Sequence, residues 1–335
     1  ELSYDFVDRD PDPKPSKGEV IKDNHGTKCA GLAAAVANNY FCSAGIAFNA
    51  KIAGLRILHQ NQSSQIEHLA LGYKRDRIHI YSNSWGADDN GRTLEKLAGR
   101  TRQAFERGVS EGRNERGSIF VFAAGNGGDD NDTCACDEYV NSIYTIPITA
   151  VGSDDNRGPI YYTEECTSIF GAIFVGDKMI TTELDDGCEQ HFEGTSAAAP
   201  QASGIIALAL EANPALTWRD VMHLIVRSSS ADAIKHNKYF LNGAGLKVSN
   251  RYGFGLMNAG RMVEMAKRWQ KVPRMKSCTI RVVRRPFSML SSVVSLIEKA
   301  RQGDKMRKLL EVIVDEEKKS VLLRGDCSMD FIEQE

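Results

Sequence analysis

The sequence has no apolar run long enough to span a bilayer. It has no excess of either charge, since 42 Lys and Arg against 44 Asp and Glu leave a net charge of −2. Nothing global therefore points to nucleic acid or an anionic membrane surface as a partner. The eight cysteines are scattered, without repeated Cys-x-x-Cys pairs, which argues against structural zinc. The 335 residues suffice for one large α/β domain and a smaller piece.

Short apolar runs predict buried strands. The run at 118–124 is nearly continuous and apolar, as expected in a parallel sheet buried on both faces, and 142–151 repeats the pattern. Shorter runs at 51–58 and 78–81 also predict strands, and 93–112 predicts a helix between strands. This alternation is typical of a doubly wound α/β sheet, where ligands gather at the carboxyl ends of strands.

A serine stands in a run of small residues, Gly194-Thr-Ser-Ala-Ala-Ala-Pro200, ahead of a predicted helix at 201–211. Ser196 is thus placed at or near a helix N-terminus, where unpaired N–H groups and the dipole favour developing negative charge. Pro200 fits an early helical turn, where a missing N–H costs little. The serine suits nucleophilic attack on a carbonyl, and the alternative is a simple helix cap.

Two more polar residues are candidates for a catalytic role. His25 begins a helix rich in Ala and Gly, which we expect to reach residue 39, and it is either structural or a general base. Asn126 follows the 118–124 strand inside a glycine cluster, where its amide is either an oxyanion donor or part of an Asn-Gly turn.

The chain opens with closely spaced acids, Asp5, Asp8, Asp10 and Asp12, in a proline-containing loop. Such hard oxygen ligands in a stiff loop suit Ca²⁺, and a solvated acidic turn is the equal alternative.

The composition shifts near residue 270. The run 277–283 predicts a strand, and apolar residues beyond it fall at helical spacing, which predicts core or partner-facing helices without a catalytic signal. These residues are Leu290, Val293, Val294, Ile297, Met306, Leu309, Leu310 and Ile313.

The ordered motifs together resemble the kexin/furin-like proprotein convertases of the subtilase family, over roughly residues 1–275. The resemblance implies a subtilisin-like α/β fold, with a doubly wound, mostly parallel sheet flanked by helices. It implies a catalytic domain at 1–270 and, at 271–335, a short divergent segment that is partly helical and at best begins a P domain. The motifs are His25-Gly-Thr-Lys-Cys-Ala-Gly31, Ser84-Trp-Gly-Ala-Asp-Asp89, Gly117-Ser-Ile-Phe-Val121, Ala124-Gly-Asn-Gly-Gly128, Asn141-Ser-Ile-Tyr-Thr145, Gly194-Thr-Ser-Ala-Ala-Ala-Pro200, Leu210-Glu-Ala-Asn-Pro214 and Leu216-Thr-Trp-Arg-Asp220.

The resemblance implies a Ser/His/Asp hydrolase with Ser196 as nucleophile, His25 as general base and acid, and Asn126 as oxyanion donor. The family's catalytic Asp would precede residue 1, because Asp5, Asp10 and Asp12 match a calcium loop instead. Since the chain also opens without an initiator Met or a signal peptide, we expect an N-terminally incomplete fragment.

The implied activity is calcium-dependent cleavage of precursor proteins after single or paired basic residues. Asp137 matches the primary-pocket acid with Asp89 close by, and Glu95 and Glu67 match outer subsites for a further basic residue. The alternatives are a catalytically impaired module that binds basic peptides and a degradative protease of broad specificity.

The resemblance also implies bound calcium and two disulfides. Asp5, Asp10 and Asp12 match one calcium site, and Cys29 is expected to stay a free, buried thiol. The other implied ligands and bridges are Asp89, Asp132 and Glu164 for a second site, Asn39 with the carbonyls of Val36 and Phe41 for a third, and the pairs Cys42–Cys188 and Cys134–Cys166.

A secretory protein is implied, located in the Golgi or trans-Golgi network membrane or secreted, monomeric, and inhibited as a zymogen by its own propeptide. Sequons at Asn61 and Asn131 would fit such a glycoprotein, although motifs this short arise often by chance. Phe192-Glu193-Gly194 stands where the family usually has His-Thr-Gly. Glu193 would oppose a nearby oxyanion if it pointed inward.

Overall fold

The computed structural model describes residues 2–15, 24–58, 64–152, 158–235 and 238–275, and strand segments at 280–281, 310–315 and 320–325. They belong to two compact units, Glu1–Phe240 with Lys247–Lys271, and Leu241–Leu246 with Val272–Glu335. No helix among these residues is long and apolar enough to cross a membrane.

The elements up to residue 267 belong to the larger unit, except that Leu241 of β9 belongs to the smaller one. They are β1 (Tyr4–Asp5), α1 (His25–Ala34), β2 (Leu55–Arg56), α2 (Ser64–Leu71), β3 (Ile80–Asn83), α3 (Gly99–Glu115), β4 (Ile119–Ala123), β5 (Thr145–Gly152), β6 (Gly171–Val175), β7 (Thr181–Glu183), β8 (Gly187–Glu189), α4 (Thr195–Ala212), α5 (Trp218–Ser228), β9 (Phe240–Leu241), β10 (Lys247–Val248) and α6 (Ala259–Lys267).

The central sheet has the parallel order β3-β4-β5-β6. Every residue of β4 is buried. Ile119, Val121 and Ala123 join the core cluster that α4 completes, whereas Phe120 packs edge-on against Phe105 of α3, at 4.9 Å between ring centroids. Alternate side chains of one strand thus contact helices on opposite faces, which is why β4 reads as a continuous apolar run. The predicted doubly wound α/β class is confirmed.

Several predicted boundaries are wrong. The 51–58 run forms only β2, which pairs with β1 and not with the central sheet. The helix predicted at 93–112 begins at Gly99, because the chain before it binds elsewhere: the Glu95 N–H donates to the Cys136 carbonyl at 3.0 Å. The helix from His25 ends at Ala34 rather than at residue 39, and α4 begins at Thr195, ahead of the predicted 201.

A capping box begins α5. The Thr217 hydroxyl accepts from the Asp220 N–H at 3.1 Å, and the Asp220 carboxylate accepts from the Thr217 N–H at 2.8 Å. These two bonds start α5 at Trp218.

The smaller unit contains a three-stranded antiparallel sheet of β11 (Ile280–Arg281), β12 (Leu310–Asp315) and β13 (Ser320–Gly325), with β13 in the centre. The helix expected through Leu310 and Ile313 is therefore wrong. The run 312–314 is Val-Ile-Val, whose β-branched side chains favour a strand. The other positions of the predicted helices, Leu290 to Leu309, lie outside the described residues, and of the predicted 277–283 strand only β11 is described.

Candidate active site

Ser196 is the second residue of α4, and its side chain is partly exposed. Gly194 precedes the helix with φ 85° and ψ 169°, a conformation that only glycine adopts readily. The N–H of Ser196 belongs to the first turn and has no partner within the helix. The turn therefore presents the hydroxyl and main-chain donors at the same helix end.

Pro200 is the sixth residue of α4, later than the sequence predicts. Its missing N–H would have bonded to the Ser196 carbonyl. That carbonyl instead accepts from the Ser84 hydroxyl at 3.1 Å and from the Cys29 thiol at 3.6 Å. Two side chains from other elements thus hold the main chain of Ser196.

His25 is the first residue of α1, which packs against α4. One turn later the Cys29 sulfur lies 3.9 Å from His25 Nδ1, and it also contacts the Ser196 carbonyl. The His25 ring packs edge-on against Phe192 from the approach to α4, at 5.5 Å between centroids. The structure thus brings His25 and Ser196 together around Cys29. Cys29 is a free, partly buried cysteine, and burial raises its thiol pKa to about 11, so it stays protonated at neutral pH.

Charged contacts fix the start of α1. The Lys28 ammonium lies 2.6 Å from Glu189 and 3.2 Å from Glu183 on the β7–β8 hairpin. Glu183 also accepts from the Asn24 amide at 2.8 Å. These bonds hold the residues on either side of His25.

Asn126 bridges the end of β4 to the start of α4. Its Oδ1 accepts from the Thr195 N–H at 2.8 Å and from the Thr195 hydroxyl at 3.0 Å. Its Nδ2 is 3.4 Å from an Asp89 carboxylate oxygen. The acceptor end of the amide is therefore fixed on Thr195, and the donor end points away from it.

A pocket that includes Gly125, the residue before Asn126, is lined by acids, among them Asp88, Asp89, Asp132, Asp137 and Glu164. Asp137 accepts from the N–H groups of Tyr139 at 2.6 Å and of Ala87 at 3.4 Å. Burial nevertheless raises the pKa of Asp137 to about 6, with Glu95 adding to the rise. A partly desolvated carboxylate in a pocket suits a guanidinium or ammonium ligand.

Glu164 is buried, with 4% of its surface exposed. Burial, together with the charges of Asp89 and Asp132, raises its pKa to about 8, while a 2.9 Å hydrogen bond from the Gly127 N–H acts in the opposite direction. Asp89, Asp132 and Glu164 thus form one electrostatically coupled group. Among the described residues, no three His, Cys, Asp or Glu side chains are arranged closely enough to hold a metal ion.

The two outer acids lie near each other. Glu67 is buried and accepts a hydrogen bond from the Tyr139 hydroxyl. Burial raises the pKa of Glu95, and the charges of Glu67, Asp88 and Glu138 raise it further. Both acids contact the segment around Asp137, because Glu67 bonds to Tyr139 and Glu95 pairs with Asp137 through the main chain.

The N-terminal acids have other partners. Asp5 is buried and binds Arg56 at 2.6 Å; burial opposes its ionisation, but this hydrogen bond holds the pKa below its usual value. Asp10 accepts from the Asp12 N–H at 2.8 Å, and Asp12 pairs with Lys14 at 2.9 Å. Local ion pairs therefore account for much of this cluster.

At the remaining predicted ligands, Asn39 Oδ1 accepts from the Phe41 N–H at 3.1 Å. Val36, Asn39 and Phe41 line a second pocket, distinct from the acid-lined one, and Val36 and Phe41 are exposed there. The two predicted disulfides, Cys42–Cys188 and Cys134–Cys166, are both present, which confirms the pairing. Glu193 is exposed.

Sequence reasoning missed Tyr162, a buried residue whose hydroxyl accepts from the Gly194 N–H at 3.1 Å. No local pattern around Tyr162 marks this role. It also gave no role to Thr195 and Ser84, although both stand inside motifs that it singled out.

Known proteins match this chain at the level of both sequence and fold. Residues 1–255 match the subtilase (peptidase S8) family. The chain is 46% identical over 294 residues to rat (Rattus norvegicus) proprotein convertase subtilisin/kexin type 4, covering 86% of this chain and 43% of that protein. It is 49% identical over 281 residues to human (Homo sapiens) proprotein convertase subtilisin/kexin type 5, covering 82% and 15%, and 45% identical over 289 residues to bovine (Bos taurus) furin, covering 85% and 36%.

A serine protease of Aeromonas sobria shares the fold, with a TM-score of 0.70 at 24% identity, covering 84% of this chain and 59% of that one. The chain belongs to the subtilase family. Within it, the chain groups with the kexin/furin-like proprotein convertases, and the predicted subtilisin-like fold is confirmed. The chain spans less than half the length of these curated relatives.

Proposed function

We propose that the protein is a serine endopeptidase that cleaves precursor proteins of the secretory pathway after basic residues. The observation that carries the proposal is the set of contacts at the start of α4. Cys29 contacts both the His25 ring and the Ser196 carbonyl, and Asn126 accepts from the N–H of Thr195, the residue before the serine. Membership of the convertase group supports the same activity.

In the proposed mechanism, the Ser196 hydroxyl attacks the scissile carbonyl while His25 takes its proton. The carbonyl oxygen becomes an oxyanion, for which the Asn126 Nδ2 and the Ser196 N–H are the candidate donors. His25 then protonates the leaving amine and the acyl-enzyme forms. Water, deprotonated by His25, releases the new carboxyl terminus and restores Ser196.

The acid-lined pocket supports selection of a basic side chain before the cleaved bond. Asp137 offers a partly buried carboxylate, whose pairing with a guanidinium would offset the cost of its burial. Glu95 and Glu67 lie further along the same group of acids and support a second basic contact.

Calcium is part of the proposal, and Asp89, Asp132 and Glu164 are the residues that would hold it. Their donor chemistry fits, because Ca²⁺ prefers carboxylate oxygens and because the charges of Asp89 and Asp132 raise the pKa of Glu164. Among the described residues no three such side chains are close enough to hold an ion, so binding would have to draw these three together. The ion would neutralise the repulsion among them, next to the primary pocket. The Asp5 group fits less well, since Arg56 already neutralises Asp5.

A secretory location is supported by the two disulfides, which persist in oxidising compartments. The convertase resemblance supports an inhibitory propeptide and attachment to, or passage through, the Golgi.

The test is covalent labelling of Ser196 by a fluorophosphonate in the full-length, calcium-loaded protein, followed by cleavage of peptides with Arg or Leu before the scissile bond. We expect labelling that Ser196→Ala abolishes, and cleavage after Arg. Absence of labelling with retained binding of basic peptides would favour the non-catalytic module. Cleavage after Leu as fast as after Arg would favour a broad degradative protease.

A further inference from the structure

The turn from Gly127 to Thr133 forms one edge of the acid-lined pocket, and it contains the sequon Asn131-Asp132-Thr133. Asp132 and Thr133 line the pocket, whereas Asn131 is exposed. The two neighbours of Asn131 in the sequon thus lie at the pocket while Asn131 faces solvent.

The turn is held by its own hydrogen bonds. The N–H groups of Asp130 and Asp132 both donate to the Gly127 carbonyl, at 2.9 and 3.0 Å. The Asp132 carboxylate accepts from the Gly91 N–H at 2.9 Å, and the Thr133 hydroxyl donates to the Glu165 carbonyl at 2.7 Å.

Asn131 itself has φ 57° and ψ 33°, the left-handed conformation that asparagine tolerates better than most residues. Its main-chain N–H donates to the Gly128 carbonyl at 3.3 Å, and the residue is exposed to solvent. The folded protein can therefore accept a bulky group on this amide.

We propose that Asn131 carries an N-linked oligosaccharide that stands at the rim of the primary pocket and restricts access of folded protein substrates. The proposal rests on the secretory location proposed above, because the modification needs that compartment. A second sequon, at Asn61, lies outside the described residues.

The reaction joins the Asn131 Nδ2 to the anomeric carbon of an oligosaccharide carried on a lipid diphosphate. The bond from that carbon to the diphosphate oxygen breaks, and the lipid diphosphate leaves with the electron pair. The amide loses one proton to a base of the transferring enzyme. The Thr133 hydroxyl completes the acceptor motif.

The experiment is expression of the full-length protein in a secreting eukaryotic cell, digestion with peptide N-glycosidase in heavy-oxygen water, and mass mapping of the peptide that contains Asn131. We expect Asn131 converted to isotope-labelled aspartate. Asn131→Gly and Asn131→Gln should lose the glycan, and Gly fits the turn because it adopts positive φ freely. Thr133→Ser keeps both the hydroxyl and the sequon, and it should keep the glycan.

The steric effect is measured with the wild-type protein and Asn131→Gly on two substrates. Loss of the glycan should raise kcat/KM on a folded protein substrate by about tenfold, the lower end of the range over which association rates vary among variants of one interface. The kcat/KM on a short peptide should stay unchanged. Equal effects on both substrates would overturn the steric role.

The Cys134–Cys166 bridge distinguishes a failure of the glycan proposal from a failure of the proposed secretory location. Unmodified Asn131 in a secreted protein that contains this bridge would overturn the glycan and leave the secretory location standing. If the bridge is also absent from the cellular protein, the secretory location is wrong and the glycan proposal falls with it.

Discussion

Ser84 donates to the main-chain carbonyl of Ser196 at 3.1 Å, where an ordinary helix would use the N–H of residue 200. Pro200 has no N–H, so the hydroxyl from the segment after β3 replaces a bond that α4 cannot make. The Ser84 hydroxyl thus replaces the hydrogen bond that Pro200 removes from α4, at the carbonyl of the proposed nucleophile.

Ser84→Ala should lower the free energy of unfolding by about 1–2 kcal/mol, because it leaves this carbonyl with only the weak Cys29 donor. In a Pro200→Ala background the restored N–H can bond to the carbonyl, so the same substitution should cost less than half as much. Denaturant unfolding of the four proteins gives this double-mutant cycle. Ser110→Ala, which removes an exposed hydroxyl bonded to its own helix, is the control. An equal cost in both backgrounds would refute the replacement.

Tyr162→Phe should lower kcat about tenfold and leave KM nearly unchanged, because the Gly194 N–H loses its acceptor and the turn before Ser196 loosens. Steady-state kinetics on a short peptide separates the two constants. Tyr161→Phe is the matched control, since Tyr161 is exposed next in sequence. A change in KM alone, or the same loss at Tyr161, would contradict the positioning role.

Asp137→Asn should stabilise the fold at pH 7 while it removes selection for Arg. The folded-state pKa of about 6 exceeds the unfolded value of 3.8, so the native state binds more protons between these values and stability falls as pH rises through the window. Removing the charge should recover on the order of 1–3 kcal/mol at pH 7. Thermal unfolding and the Arg-to-Leu cleavage ratio measure the two effects. The control is Glu138→Gln, at a neighbouring acid that binds Arg102, which tests whether removing any nearby carboxylate has the same two effects.

The same carboxylate predicts a pH dependence. Below about pH 6 Asp137 becomes protonated, so KM for substrates with Arg before the cleaved bond should rise as pH falls. A peptide with a neutral side chain at that position isolates any pH effect that does not involve Asp137. A KM for the Arg peptide that stays constant from pH 7 to about pH 5 would exclude this role for Asp137.

Cys134→Ser should destabilise the protein by about 3–4 kcal/mol, since the bridge closes a loop across a sequence separation of 32. Cys136 is a free cysteine two residues away, so it offers Cys166 a second partner. The double variant with Cys136→Ser should therefore be less stable than the single variant. Mass mapping of the single variant detects a Cys136–Cys166 bridge, and Cys136→Ser alone should be close to neutral.

The sequence predicted β4 because Phe120 and its neighbours form an apolar run typical of burial on both faces, and similar runs predicted β3 and β5. It did not predict β6, the fourth strand of the same sheet. It could not predict that 51–58 would shrink to two paired residues, because pairing depends on β1 from a distant segment. Ser196, His25 and Asn126 were found from motifs, but Tyr162 was not, since a buried tyrosine far from the serine in sequence has no local signal. In the smaller unit, the helical spacing of Leu310 and Ile313 predicted a helix, but the segment forms a strand because its consecutive β-branched residues favour one.

Glycines leave little spare volume around the two helices of the proposed site. A methyl group added at Gly204 of α4 would lie 2.6 Å from Ile46 and 3.2 Å from the Ala33 carbonyl of α1, and one at Gly31 of α1 would lie 2.3 Å from Thr181 of β7. The helix that carries His25 is thus packed closely against α4 on one side and β7 on another. A substrate therefore has to bring its scissile carbonyl to a serine and a histidine whose helices have little room to adjust.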